Sequence, residues 1–451
     1  MRRKKIKFIC LVGLAGLISS DLRAENPAAT KVSTTSILST YDACRIVLIP
    51  PRGKNKSDLE ISELQQKIKT SPMPAPLLDR LGWLFVVKAR TANDPGLYNL
   101  VKQTALCLEA LQPDSTAALL LRGHALQSLH NFKEAEPVAR QLVAKRGASF
   151  DYGLLGDILM DRGQTAQGIE AYQKMMELKP DLHAYTRAAH ARWLTGDVEG
   201  ALELISMATD AGSSRNAEAT AWSYSRRAAY EFQLNRFPES LRSVNAALKF
   251  QPDYAAALFF KGRIELAQGR TNNAIASLQR AAKLNALPEY QWLLADVLNI
   301  AGKKNELAVV ELELNKRGAL EDPRTFSLYL TTRREKSEIA LKLAERELTQ
   351  REDAFTHDAL AWALYAAGRF SEAQKQSTLA LREGTEDARL FFHAAVIAQS
   401  VGDSKKALAY SQKAIALQQM LFPSEQKQLV ELSGRLVGGQ SQAQIKTTKQ
   451  N

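Results

Sequence analysis

The chain has 451 residues, 45% hydrophobic and 24% charged, with 60 Lys and Arg against 48 Asp and Glu. This is too long for one small core, and the Ala-, Leu- and Gln-rich mix, poor in β-branched runs, favours helices over sheets. The formal charge of +12 is scattered in short clusters such as Arg226-Arg227 and Lys303-Lys304, with no basic tract interleaved with aromatics. That pattern argues against a nucleic-acid partner and fits solvated helix faces.

Residues 1–24 have the form of an export signal. Arg2, Arg3, Lys4, Lys5 and Lys7 precede the apolar run Phe8–Ile18, and Ala24 is placed for cleavage. The run is shorter than a bilayer-spanning helix, so no stable membrane insertion is expected after cleavage; an uncleaved anchor is the alternative. Cleavage would remove six basic residues and one acidic residue, leaving a charge near +7. The expected location is therefore the periplasm or the outside of the cell. Cys10 leaves with the signal, and Cys44 and Cys107 remain. In an oxidising compartment an even count is compatible with a bridge, or with two unconnected thiols.

Residues 25–74 read as an N-terminal extension with one short helix. The Thr- and Ser-rich start is flexible in character, and Tyr41–Ile49 suits a short strand or a packed arm before Pro50-Pro51. Ser57–Lys69 carries Leu59, Ile61, Leu64 and Ile68 at helical spacing, with Ser57 as the expected N-cap. Three prolines in 71–76 separate this helix from the rest of the chain.

From Leu77 to Leu417 a unit of 33–34 residues recurs. Each copy has a pivot, usually small (Gly82, Gly123, Gly156, Ala189, Ala228, Gly262, Ala295, Leu328, Ala361 and Ala395). Seven residues later comes a turn position, often Gly, and five after that a small or apolar residue. One helix pair needs this much chain but cannot bury its apolar face alone, so the copies must stack. Extra residues at 91–96 and 211–216 are expected loops, and 324–349 is a weak copy with Leu328 at the pivot and Glu335 at the turn. Ser424–Leu436 is amphipathic, so residues 423–437 are expected to cap the last pair. The Gln- and Lys-rich residues 438–451 read as a disordered tail.

These residues resemble the tetratricopeptide repeat family over about three quarters of the chain. Segments such as "FDYGLLGD" and "YTRAAHARWLTGD" look like exported bacterial members of it. The resemblance implies an all-α, right-handed superhelical solenoid of about ten stacked helix-turn-helix pairs over residues 75–422, with the first helix of each pair lining a concave surface.

On a first helix, offsets −6, −3, +1 and +4 from the pivot share one face. All five tryptophans fall there: Trp83, Trp193, Trp222, Trp292 and Trp362. Phe259, Tyr329 and Tyr365 join them, and His124, Asp157, His183, His190, Arg263, Asp296, Asn299 and Asp358 lie between. Read as function, this is an aromatic-lined groove for a peptide or protein partner, on a non-enzymatic scaffold that needs no cofactor. Read as structure, it is packing between neighbouring first helices. The row His124, Asp157 and His190 occupies one offset in three successive repeats. It is either a self-satisfied polar ladder or the site of a metal- or small-ligand-dependent enzyme. No phosphate loop, nucleophile elbow or HExxH motif occurs.

Overall fold

The computed structural model describes residues 34–448, and its secondary structure there is helical with no strand. The expected signal at 1–24, Cys10 and residues 449–451 lie outside the described residues.

The extension is richer than one helix. It forms α1 (Thr34–Thr40), α2 (Asp42–Val47) and α3 (Lys56–Thr70). The stretch expected as a strand or arm is the helix α2: Ala43, Cys44 and Val47 are buried at helical spacing, and a lone strand would leave its amides unpaired. Gln65 of α3 answers the open end of α2 by donating to the carbonyls of Val47 and Ile49 at 2.8 and 2.9 Å. The cap of α3 is Asn55, whose side chain accepts from the Asp58 amide, rather than Ser57. The Sγ atoms of Cys44 and Cys107 are bonded, fastening α2 to the solenoid across a separation of 63 residues. Closing a loop of that length restrains the unfolded chain by about 4 kcal/mol.

Ten antiparallel pairs complete the solenoid. They are α4 (Ala75–Ala92) with α5 (Tyr98–Leu111), α6 (Thr116–Ser128) with α7 (Phe132–Lys145), and α8 (Ser149–Asp161) with α9 (Thr165–Leu178). Next come α10 (Leu182–Leu194) with α11 (Val198–Asp210), α12 (Ala217–Gln233) with α13 (Phe237–Phe250), and α14 (Ala255–Ala267) with α15 (Thr271–Leu284). The last four are α16 (Pro288–Ile300) with α17 (Lys304–Glu321), α18 (Pro323–Thr332) with α19 (Ser337–Leu348), α20 (Ala354–Ala366) with α21 (Phe370–Ala380), and α22 (Ala388–Ser400) with α23 (Ser404–Ala416). Single 3-10 turns occupy the two insertions, at Pro95–Leu97 and Ser214–Asn216.

The pivots explain the pairing. A Cβ on Gly156 would lie 2.3 Å from the Tyr172 ring, so only glycine lets α8 and α9 approach this closely. Several first helices begin at Asp caps: the side chains of Asp181, Asp322, Asp353 and Asp387 accept amides of α10, α18, α20 and α22. The weak copy at 324–349 still forms a full pair, because Leu328, Tyr329 and Leu330 are buried and Arg334 and Lys336 take the left-handed turn without a glycine.

The solenoid also touches itself. The end of a first helix meets the start of the first helix six pairs further on. The Glu352 amide donates to the Asp161 carbonyl at 3.0 Å, and Arg351 pairs with the Asp161 carboxylate at 2.8 Å. Thr385 Oγ1 donates to the Leu194 carbonyl at 2.5 Å, and Asn93 Nδ2 to the Leu284 carbonyl at 2.7 Å. Gly163, at φ +68°, faces this seam, and a Cβ there would stand 2.3 Å from the Glu352 carbonyl oxygen. Its turn position thus serves both the left-handed backbone and the contact between successive superhelical turns.

After the last pair, Gln418–Met420 forms a 3-10 turn and α24 runs from Pro423 to Thr448. The helix runs on past 437, the expected end of the cap. Leu432 and Leu436 cover Ala395, Ala398 and Ala407 of the last pair. The start of α24 does something else: it enters the concave face.

Candidate functional site

The inner face of the first helices divides at α14. Beyond it, the rings offered as a groove are sealed. Trp292 has no exposed surface, and Phe259, Tyr329 and Trp362 are buried. Tyr365 is half-buried and stacks on Trp362 at 5.0 Å. The cover is the chain itself. Phe422 inserts edge-on against Trp292 with ring centroids 5.0 Å apart, and it also meets Phe259 at 6.3 Å. Arg263 donates to the carbonyl of Met420 at 2.6 Å, and the Ser424 amide donates to Asp296 at 2.8 Å. Burial raises the Asp296 carboxyl to about 6. Arg389 grips Glu425 with two bonds, 2.5 and 3.0 Å long. Its guanidinium lies 5.1 Å from the Trp292 ring centre and 5.0 Å from that of Phe422. Asp358 is buried and accepts from His393, which stacks on Trp362 at 4.1 Å. Asn299 is exposed on the rim of a cleft of about 530 Å³ beside Ser424 and Lys427. A second cleft of about 520 Å³, lined by Phe232, Arg263, Gln419 and Phe422, opens on the other side of the segment.

For Phe259, Trp292, Asp296, Tyr329, Asp358 and Trp362, then, the expectation of an open groove is corrected. The helical offsets place them on the inner face. There Tyr329, Asp358 and Trp362 are sealed by packing between neighbouring first helices, against Trp292, His393 and Phe392, while residues 418–428 cover Phe259, Trp292 and Asp296. Nothing in the period could signal this, because the covering segment lies outside the repeats. Arg389, Phe422 and Glu425 were missed for the same reason, although the apolar Leu421-Phe422-Pro423 run beside an expected helix was a visible cue.

Before α14 the face is more open. Trp222 is 41% exposed. Trp193, His183 and His190 are half-buried. Trp193 stacks on His190 at 5.6 Å and, across the superhelical seam, on Phe355 at 5.7 Å. Its indole N–H donates to Gln233 at 2.8 Å. Arg226 lies over the Trp193 and Tyr230 rings, at 5.7 and 5.2 Å from their centres. Trp83 is half-buried against His124 at 5.5 Å.

The ladder of His124, Asp157 and His190 does not assemble. The Asp157 carboxylate is taken by Arg187, at 2.8 and 2.7 Å, and by the Tyr172 hydroxyl at 2.9 Å. His124 is buried beside Trp83 and Tyr98, and burial lowers its pKa to about 4. Burial, aided by Arg226, does the same to His190. Both rings are neutral at pH 7 and donate no charge to a ladder. Among the described residues no group of three or more His, Cys, Asp and Glu is arranged to hold a metal ion. No helix among them is long and apolar enough to cross a membrane.

Helix pairs of this geometry, repeated ten times, define a class of α-solenoid scaffold. Tetratricopeptide repeat models match residues 152–182 and 226–287, so those stretches are tetratricopeptide repeats. No curated protein matches it in sequence. Among solved structures it is similar to the human IFIT1 dimer with PPP-AAAA, at 17% identity over 69% of this chain and 73% of that one, with a TM-score of 0.46. It is also similar to Cut9 in the APC/C hetero-tetramer Cut9–Hcn1, at 14% identity over 85% and 96%, with a TM-score of 0.37. Yeast Tom70 matches at 14% identity over 84% and 95%, with a TM-score of 0.36. At these identities and scores no ligand or partner carries over.

Proposed function

We propose that this chain is an exported, non-enzymatic scaffold that holds a peptide or extended protein segment on the inner face of α10 and α12. The observation that carries the reading is Trp222: a large indole, 41% exposed, one helical turn from Arg226 on a face whose other half is sealed. Half-desolvated aromatic and arginine side chains are the residue types that dominate binding energy at interfaces. Export is supported by the basic and apolar start of the sequence and by the Cys44–Cys107 bond, since such bonds persist in oxidising compartments.

The test is capture by the full mature chain, followed by Trp222→Ala. A partner recovered by the parent chain and released at least ten-fold more readily from the variant supports the reading. Equal retention by both removes it. Sequencing the N-terminus of the exported protein checks the location, with Glu25 as the expected first residue.

A further inference from the structure

One arrangement occurs twice on the inner face. In the sealed half, Arg389 lies over Trp292 and Phe422 and pairs with both oxygens of Glu425. Phe422 and Glu425 are three residues apart, so one turn of chain supplies the ring and the carboxylate together. In the open half, Arg226 lies over Trp193 and Tyr230 at comparable distances, with Trp222 exposed one turn away. Here the arginine makes no ion pair and no hydrogen bond among the described residues. A guanidinium already desolvated on one face by aromatic rings has lost part of its hydration, and a planar carboxylate restores it with two parallel bonds.

We propose that Arg226, Trp222 and Trp193 form a binding site for a protein segment that carries an aromatic residue and, three positions later, an Asp or Glu. The resident segment 418–428 shows the chemistry that this face accepts. The incoming carboxylate pairs with Arg226, and the incoming ring packs on Trp222. Arg226 brings the positive charge to the site, and no carboxylate among the described residues pairs with it. The proposal rests on the scaffold reading above and adds the ligand's chemistry to it.

The test uses the full chain and a synthetic peptide with the sequence of residues 418–428 (QQMLFPSEQKQ), read by quenching of tryptophan fluorescence. Saturable binding is expected. Arg226→Gln should weaken it about ten-fold or more, the value for a lost charge-assisted pair. Arg226→Lys should recover part of the loss. A peptide with Gln in place of its Glu should be weakened as much as the Arg226→Gln variant weakens the parent peptide, and combining the two changes should add little further loss. Arg226→Gln gives up its contacts with the Trp193 and Tyr230 rings but no ion pair, so the melting temperature should fall by only a few degrees. Absence of binding overturns the proposal. So does binding that ignores Arg226→Gln but is changed by Arg389→Gln, since the peptide would then be exchanging with the resident segment. In either event, partner capture that still depends on Trp222 leaves the scaffold reading in place.

Discussion

The inner face before α14 and the inner face after it are built from the same helical offsets and carry the same residue types. Trp222 and Trp292 occupy that face alike, yet one is 41% exposed and the other has no exposed surface. The difference is a segment that belongs to neither: Leu421, Phe422 and Glu425 cross the later half, and of the earlier half the segment reaches only the end of α12, where Gln419 donates to the Gln233 carbonyl at 2.6 Å. A repeat specifies which face a side chain adorns. What covers that face is decided by chain outside the repeat.

Several substitutions sharpen or break this contrast. The largest effect is expected for Arg389→Ala. It leaves the buried carboxylate of Glu425 without its partner, which costs about 3–5 kcal/mol of stability, read as a drop in the denaturation midpoint. Trp292→Ala should cost a similar amount, about 3–5 kcal/mol, by opening a cavity under Phe422. Trp222→Ala in the earlier half should change stability by less than about 0.5 kcal/mol. Equal costs for the two tryptophans would erase the distinction between the halves.

A pH series tests the interior of the earlier half. The folded pKa of His124 is lowered to about 4, below its unfolded value of 6.5. Between these values the unfolded chain holds the extra proton, so stability falls as pH drops from 6.5 towards 4. From pH 7 to pH 5 the loss is on the order of 2 kcal/mol. Asp296 works in the opposite sense: its folded pKa is raised to about 6, so protonating it between pH 6 and 4 favours the fold. His124→Phe should therefore flatten the acid loss in thermal melts, whereas Asp296→Asn should steepen it. At the seam, Gly163→Ala imposes a left-handed backbone on a residue with a Cβ, costing about 1–2 kcal/mol before the clash with Glu352 is counted. A loss no larger than this backbone cost would show that the superhelical turns are not in contact there.

Much of the fold was legible because its causes are local and periodic. The pivot Gly156, the turn Gly163 and the Asp caps of first helices are short-range requirements, and they recur along the ten copies. The solenoid and its pair count come from them. Less was legible in the extension, where six residues, 42–47, were too few for periodicity to separate a helix from a strand. The site was half legible. The offsets put the rings on one face, but contacts between residues about 190 positions apart, such as Asp161 with Arg351, depend on superhelical pitch. Pitch is a sum of small rotations that no single repeat displays. The row of His124, Asp157 and His190 failed for a related reason: Arg187, one repeat along, has a longer reach and a permanent charge, and it takes Asp157 first.

The central claim is that residues 418–428 lie in the inner face of the later half. Residue-resolved hydrogen exchange addresses it most directly. The amides of Phe422 and Ser424 donate to the carboxylates of Glu425 and Asp296, both at 2.8 Å, under a buried ring. They should exchange as slowly as the amides of α16. Exchange at the rate of an unstructured peptide, with α16 still protected, would contradict it.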